Sequence, residues 1–240
     1  ACQKSPSVSK LVVKSSTSIY GAGPKDPAMF TEEMEPKHTP GSGWAKDSVE
    51  VESYVRGFAR RRPDVSVTTL RFANFLGPRV ETPMSSYFEL PVIPTLLGHD
   101  ARLQFIHEDD GLEALRQATI DEHPGMFNVA GDGIILLTQA ARRAGRPTIS
   151  LPASSAGLVG AIIRRLGLAD FSPEQVRFLT YGRGVDTTRM RTVFGFTPQH
   201  TTPETFDAFV KSRRLNRMLP PERVEAVEDQ LVSLLTGRVS

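Results

Sequence analysis

The spacing of apolar positions changes several times along the chain, and each spacing predicts a different element. Leu11-Val12-Val13 is a short continuous apolar run followed by Ser15-Ser16-Thr17-Ser18, the form of a buried parallel strand that ends in a polar loop. From Gly21 to Gly43, four prolines (Pro24, Pro27, Pro36 and Pro40) forbid a long regular element, so this stretch reads as a surface loop. Within it, Gly21-Ala22-Gly23 is followed by Pro24 and reads as a turn rather than a phosphate-binding loop. Asp47 to Arg62 then carries Val51, Tyr54, Val55 and Phe58 at i, i+3, i+4 and i+7, with acids at its start and Arg60-Arg61-Arg62 at its end. That pattern predicts an amphipathic helix with this stripe in the core. Pro63-Asp64 stops the helix, and Val65 to Phe72 is a β-rich run leading into Asn74 and Gly77-Pro78. Strand, loop, helix and strand in that order make a βαβ unit.

Beyond Pro78 the pattern loosens into a Pro-containing segment as far as Gly98, in which no element is predicted. A strand at Leu103 to Ile106, a helix from Asp109 to Ile120 and a strand at Met126 to Ala130 follow. Ile134 to Leu137 reads as a further strand, and Thr138 to Ala144 as a helix closed by Gly145. Ser172-Pro173-Glu174-Gln175 and Thr202-Pro203-Glu204 both look like capped helix starts with Pro at the first helical position.

Composition narrows the class. With 240 residues, 39% apolar and 23% charged, the chain excludes wholesale disorder, collagen and coiled coil. Lys and Arg number 29 against 27 Asp and Glu, a net charge of only +2, so no basic surface for nucleic acid is expected. The single Cys2 excludes an internal disulfide or a multi-cysteine metal site, and a reducing, cytoplasmic setting is the expectation. The longest mainly apolar stretch, Leu151 to Ile163, ends at Arg164-Arg165, well short of the roughly 20 residues that span a bilayer. It reads as a core or surface helix, and no membrane partner is expected. Ala1 stands first and Ala1 to Lys10 lacks the apolar core of a signal peptide, so the chain is expected to begin inside a longer protein.

Four short motifs now line up. Ser15-Ser16-Thr17-Ser18-Ile19-Tyr20-Gly21 follows one strand and Leu70-Arg71-Phe72-Ala73-Asn74-Phe75-Leu76-Gly77-Pro78 follows a second; Phe105-Ile106-His107-Glu108-Asp109-Asp110 precedes a helix; Phe127-Asn128-Val129-Ala130-Gly131 comes next. In this order they resemble the motif series of the NAD(P)-dependent sugar epimerase/dehydratase family, the extended short-chain dehydrogenase/reductases. The segment Asp186 to Pro198, ending Gly195-Phe196-Thr197-Pro198, is similar to the family's near-terminal segment, so the resemblance spans roughly residues 5 to 210. It implies an α/β fold: a truncated Rossmann-like parallel sheet, with a smaller mixed α/β substrate-binding region built from parts of 79–110 and 130–200. It also implies NAD or NADP as cofactor, a small-molecule substrate of the sugar or nucleotide-sugar type, and a homodimer.

The family's glycine-rich turn, where a helix N-terminus holds the cofactor pyrophosphate, has no counterpart in this sequence. The chain therefore resembles the last two-thirds of such a protein, and a sheet without its first strands would expose an unpaired edge.

The family's chemistry rests on a tyrosine four residues before a lysine on one helix, where the ammonium lowers the phenol's pKa from about 10. Ser16 matches the family's substrate-polarising serine and Lys46 its ribose-holding lysine, but Ser42 stands in the tyrosine's place. Tyr20, in the strand-end motif, is the candidate to take over proton transfer, with Tyr87 reaching the pocket from a lid as another. Ser16 also fits a loop serine satisfying backbone groups, and Lys46 an exposed lysine at a helix start. By the same resemblance Phe72 and Ala73 approach the nicotinamide and Asn74 the substrate. Arg102 lies one residue upstream of the usual position of an arginine that binds the nucleotide diphosphate, a register that here reads Leu103-Gln104. His107 and Asp110 read as helix-capping groups rather than metal ligands. Two functions follow: an oxidoreductase of the family's kind, with Ser16 polarising substrate and Lys46 holding the ribose, or a non-catalytic dinucleotide-binding sensor or scaffold.

Overall fold

The computed structural model describes residues 2–35, 43–152, 173–215, 223–224 and 227–228. Strand β1 (Lys10–Ser16) leads through a 3-10 turn over Thr17–Tyr20 into residues 21–35, and α1 (Gly43–Arg61) returns the chain to β2 (Ser66–Phe72). Then come β3 (Asn74–Leu76), α2 (Pro83–Glu89), β4 (Ile93–Leu96), β5 (Arg102–Leu103), β6 (Phe105–His107) and α3 (Glu108–Ile120). After these lie β7 (Gly125–Val129), β8 (Ile135–Leu136), α4 (Leu137–Arg143), β9 (Thr148–Leu151), α5 (Pro173–Tyr181), α6 (Thr188–Thr192) and α7 (Thr202–Arg213).

The main sheet is all parallel in the order β1-β2-β7. Ser16 stands opposite Phe72 and Arg71 opposite Asn128, so the polar strand ends expected from the sequence gather along one edge. β2 pairs on both sides and its run of Val, Thr, Thr, Leu and Phe suits a strand enclosed between helices. Among the described residues β1 has a neighbour on one side only. Leu70, Phe72, Phe127 and Val129 of this sheet pack against Ala114 and Ala118 of α3 and against Met190, Phe194 and Phe196. α3 starts on three acids that favour its dipole, and His107 caps it by accepting the Asp109 amide at Nδ1.

A second apolar cluster lies beyond the sheet. It joins Met84, Tyr87 and Phe88 of α2 to Ala140 and Ala141 of α4, Phe178 of α5, and Phe206 and Phe209 of α7. Two small sheets, β4 with β9 and antiparallel β5 with β8, flank it.

Several expectations are corrected. Residues 79–98 hold α2 and β4; α2 is fixed by a reciprocal cap between Thr82 and Ser85 with Pro83 in its first turn, a signal hidden by serine replacing the usual Glu or Gln. The strand Leu103 to Ile106 is two strands, because pairing passes from β8 to β3 across Gln104. The Gln104 side chain satisfies the Gly131 carbonyl and the Val185 amide. Leu151 ends β9 instead of starting a helix; the remainder of that stretch, and Ser172, lie outside the described residues. α7 is capped by Thr201 rather than Thr202.

The stripe expected to bury α1 is also displaced. Val51 and Tyr54 are exposed, Tyr54 at 77%, while Ala45, Ser48, Glu52 and Phe58 are buried. The inward face is turned toward Glu52 because the sheet beneath offers a buried guanidinium, Arg71, as its partner. No helix among the described residues is long and apolar enough to cross a membrane.

Candidate functional site

A cavity of about 610 Å³ opens at the carboxyl ends of β1 and β2. Such strand ends are where open α/β sheets bind ligands, and the volume falls within the roughly 300–1,000 Å³ of small-molecule sites. One wall comes from Lys14, Ser16, Ser18 and Gly21, and a second from Phe72, Ala73, Asn74 and Phe75. The start of α1 (Gly43, Trp44, Ala45), the start of α2 and one side of α5 with Arg183 complete it. Sequence reasoning brought Ser16, Phe72, Ala73 and Asn74 to this place. It missed Ser18, Trp44, Glu174, Phe178 and Arg183.

Ser16 caps the 3-10 turn, its Oγ accepting the Ser18 amide at 3.1 Å. The hydroxyl proton remains to donate into the cavity, which suits a group that polarises a ligand oxygen. Gly21 ends the turn at φ 72°, the left-handed region that glycine enters without strain, and so the chain does turn there. Lys14 lies 5.4 Å from the ring centres of both Trp44 and Phe75, and Trp44 is 60% exposed.

Tyr20 is elsewhere. It is buried, stacks on Phe30 at 4.8 Å, donates to Asn128 Oδ1 at 2.8 Å and accepts from Arg71 Nη1 at 2.8 Å. Burial raises its phenol above the ordinary value, opposite to the direction proton transfer near neutrality needs. Its hydroxyl belongs to a polar network under the sheet. Arg71 and Glu52 form a bidentate pair at 2.9 and 2.6 Å, Ser15 donates to Glu52 at 2.5 Å, and the buried Glu32 accepts the Asn128 amide at 2.8 Å. Residues 21–35 are thus not a surface loop throughout. Phe30 bridges to Val185 and, with Glu32, anchors the segment inside.

Tyr87 is corrected too: it is fully buried, donates to the Pro94 carbonyl at 2.6 Å, and its phenol is raised by burial. Lys46 stands 51% exposed, 3.7 Å from Glu50, and Lys46 is not part of the cavity wall although Trp44 and Ala45 are. Ser42 lies outside the described residues. Arg102 sits in β5 away from the cavity, where its backbone accepts the Arg183 amide at 2.8 Å. Asp110 accepts the amides of Gln199 and His200, both at 3.0 Å, and the His200 ring stacks on His107. Burial lowers the His107 imidazole below its ordinary value.

Arg183 enters the wall from a segment the motifs did not reach. Its Nη1 donates to the Gly21 carbonyl at 2.7 Å and its guanidinium lies over Phe178 at 4.9 Å. Burial pulls its pKa down to about 10, which still leaves it charged at neutral pH.

The NAD dependent epimerase/dehydratase family model matches residues 1–130. Uncharacterized proteins of Mycobacterium tuberculosis and Mycobacterium bovis are 44% identical over 234 residues, 98% of this chain and 62% of theirs. One of Sinorhizobium fredii is 26% identical over 95% of this chain and 60% of its own length. The chain therefore spans about three-fifths of the curated relatives it matches. In fold it is similar to a dTDP-glucose 4,6-dehydratase of Bacillus anthracis in complex with NAD, with TM-score 0.62, 15% identity, and coverage of 87% of this chain and 63% of that one. It is equally similar to a UDP-glucose 4-epimerase of Thermotoga maritima with UDP-glucose, with TM-score 0.62, 18% identity, and coverage of 87% and 64%.

Proposed function

As this chain belongs to the NAD dependent epimerase/dehydratase family, we propose that it supplies the substrate side of an oxidoreductase acting on a sugar or sugar-like alcohol or ketone, with NAD or NADP. The observation that carries this reading is the shared cavity: Ser16 at the end of β1 and Phe72, Ala73 and Asn74 at the end of β2 face one space, beside the start of α1. The nicotinamide end of a dinucleotide fits there, against apolar Phe72 and Ala73, whereas nothing in this sequence matches a glycine-rich pyrophosphate turn. When bound, that cofactor supplies hydride transfer.

The chain's own residues do the rest. Ser16 donates a hydrogen bond from its hydroxyl to the substrate oxygen and polarises it, Asn74 positions the substrate, and Phe72 with Ala73 excludes water from the nicotinamide face. Among the described residues Lys46 is tied by an exposed ion pair to Glu50, a contact that contributes little and yields readily to a ribose hydroxyl. Arg102 takes no part in substrate binding in this reading, since it does not line the cavity.

The buried commitment of Tyr20 favours a second reading, a dinucleotide-binding sensor without turnover. The test follows the ultraviolet absorbance of the reduced nicotinamide, using purified protein with NAD or NADP and UDP-glucose. Turnover that falls about 10²-fold in Ser16→Ala and survives Tyr20→Phe supports the oxidoreductase. Cofactor binding that weakens in Lys46→Met without any turnover supports the sensor. Turnover indifferent to Ser16→Ala rejects the assignment of this cavity.

A further inference from the structure

Two polar groups in the cavity wall have no role in the reaction as derived, and the backbone ties them together. Arg183 is held at one corner by the Gly21 carbonyl, and Phe178 covers one face of its guanidinium. Among the described residues no carboxylate lies within ion-pair distance of it, so most of its N–H donors have no protein acceptor. The second group is the Ser18 hydroxyl: Ser18 lines the same cavity, and its oxygen, buried without a hydrogen-bond partner, comes to a ligand there by rotation about χ1. Gly21 links the two, since its amide donates to the Ser18 carbonyl at 3.0 Å while its own carbonyl accepts from Arg183. A half-buried guanidinium without a counter-ion and an orphaned hydroxyl cost free energy in an empty wall and gain it when an oxyanion arrives.

We propose that Arg183 and Ser18 form an oxyanion-reading subsite beside Ser16, which selects substrates carrying a carboxylate or a phosphate on the sugar itself. Ser18 lies within the turn that Ser16 caps and Arg183 bonds the glycine that ends it, so the anion lies at the reacting end of the ligand. The other charges facing the cavity do not remove the preference. Lys14 adds to it, and Glu174 on α5 is the one carboxylate among the described lining residues. Asp26 acts on Arg183 only through space. Planar fork geometry makes arginine the better reader of a carboxylate or phosphate than lysine.

The inference rests on the sugar-type ligand proposed above, and its test uses no cofactor, so the two can fail separately. Trp44, the single tryptophan of the sequence, lines the cavity and reports occupancy by its fluorescence. The chain is titrated with D-glucuronate, D-glucose 6-phosphate and D-glucose, and then with inorganic phosphate as competitor. A charge-assisted contact predicts that at least one anionic sugar binds about 10- to 100-fold more tightly than glucose. The tighter of the two identifies carboxylate or phosphate as the source, and inorganic phosphate should displace it.

Arg183→Met should abolish the preference, Arg183→Lys should retain part of it, and Ser18→Ala should reduce it severalfold. The Met variant keeps the backbone bond from the Arg183 amide to Arg102, and its melting temperature checks the fold. If it does not fold, the Lys and Ala variants decide the matter, since an undiminished preference in both overturns the proposal. Equal binding of glucose and both anionic sugars, no binding by any of them, or a preference that survives Arg183→Met also overturns it. Absence of hydride transfer alongside an intact preference would sink the oxidoreductase reading alone.

Discussion

Removing Glu52 leaves a guanidinium stranded under the sheet, and the size of the penalty can be worked from its surroundings. Arg71 is 4% exposed and Glu52 3%, joined by two short hydrogen bonds, and Ser15 donates to the same carboxylate while Arg56 lies 3.8 Å from it. Truncation of one partner in such a pair costs about 3–5 kcal/mol, because the remaining charge has neither water nor counter-ion. Arg71 would keep Tyr20 and the Glu32 carbonyl as acceptors, which places Glu52→Ala near the lower end, about 3 kcal/mol. The double variant Glu52→Leu with Arg71→Met removes both charges together. It forfeits the donors to the Glu32 carbonyl and the Tyr20 oxygen and the acceptor of the Ser15 hydroxyl, about 1–3 kcal/mol for each group left unsatisfied, and regains the desolvation of two ions, several kcal/mol each. Its net loss should therefore be smaller than that of Glu52→Ala alone. Urea midpoints, followed by circular dichroism and by Trp44 fluorescence, measure all three variants. If Glu52→Ala costs less than about 1 kcal/mol, or if the double variant is the worse of the two, the pair is not a buried lock between α1 and the sheet.

Two further outcomes are expected. Burial raises the Glu32 carboxyl above its ordinary value, so its stability contribution is full below the unfolded value of about 4.3 and is lost as pH rises through the folded one; Glu32→Gln, which keeps an acceptor for the Asn128 amide, should gain on the parent as pH is raised from about 4 to 7, and a flat difference in melting temperature would refute this. Gly182 sits at φ 72° with the Arg102 backbone where a Cβ would go, so Gly182→Ala should cost more than about 2 kcal/mol, and a melt within a degree of the parent would contradict it.

What was legible in the sequence was local. The run Leu11-Val12-Val13, the β-branched stretch after Pro63 and the polar strand ends fix the parallel pair and bring Ser16 and Asn74 to one edge, because strand pattern and motif order need only neighbours in the chain. The register of α1 was not, since a charged residue within the helix outweighs an apolar stripe only when a distant strand supplies its partner, here Arg71 to Glu52. The same holds for Tyr20. Its place in a strand-end motif suggested chemistry, while its hydroxyl is claimed by Asn128, 108 residues away. Arg183 carried no signal at all, because nothing in its vicinity states that residue 21 will be its acceptor.

Residues 182–186 touch three remote stretches of chain at once: Gly182 bridges to Arg102 and the nearby Gln104 side chain receives the Val185 amide, Val185 bridges to Phe30, and the Asp186 carbonyl accepts from the Asn128 side chain. The bond from Arg183 to Gly21 spans 162 residues of sequence, against a β1–β2 separation of 56 between Ser16 and Phe72. By loop-closure entropy alone the longer connection is dearer by only about 1 kcal/mol, so chain length is a weak obstacle to forming it. Order of synthesis is the stronger constraint. β1, α1 and β2 can pair on the ribosome while the last wall of the cavity has yet to be made. The nascent protein thus passes through a stage in which the Ser16 turn is assembled with its far side open, until residue 183 arrives to close it.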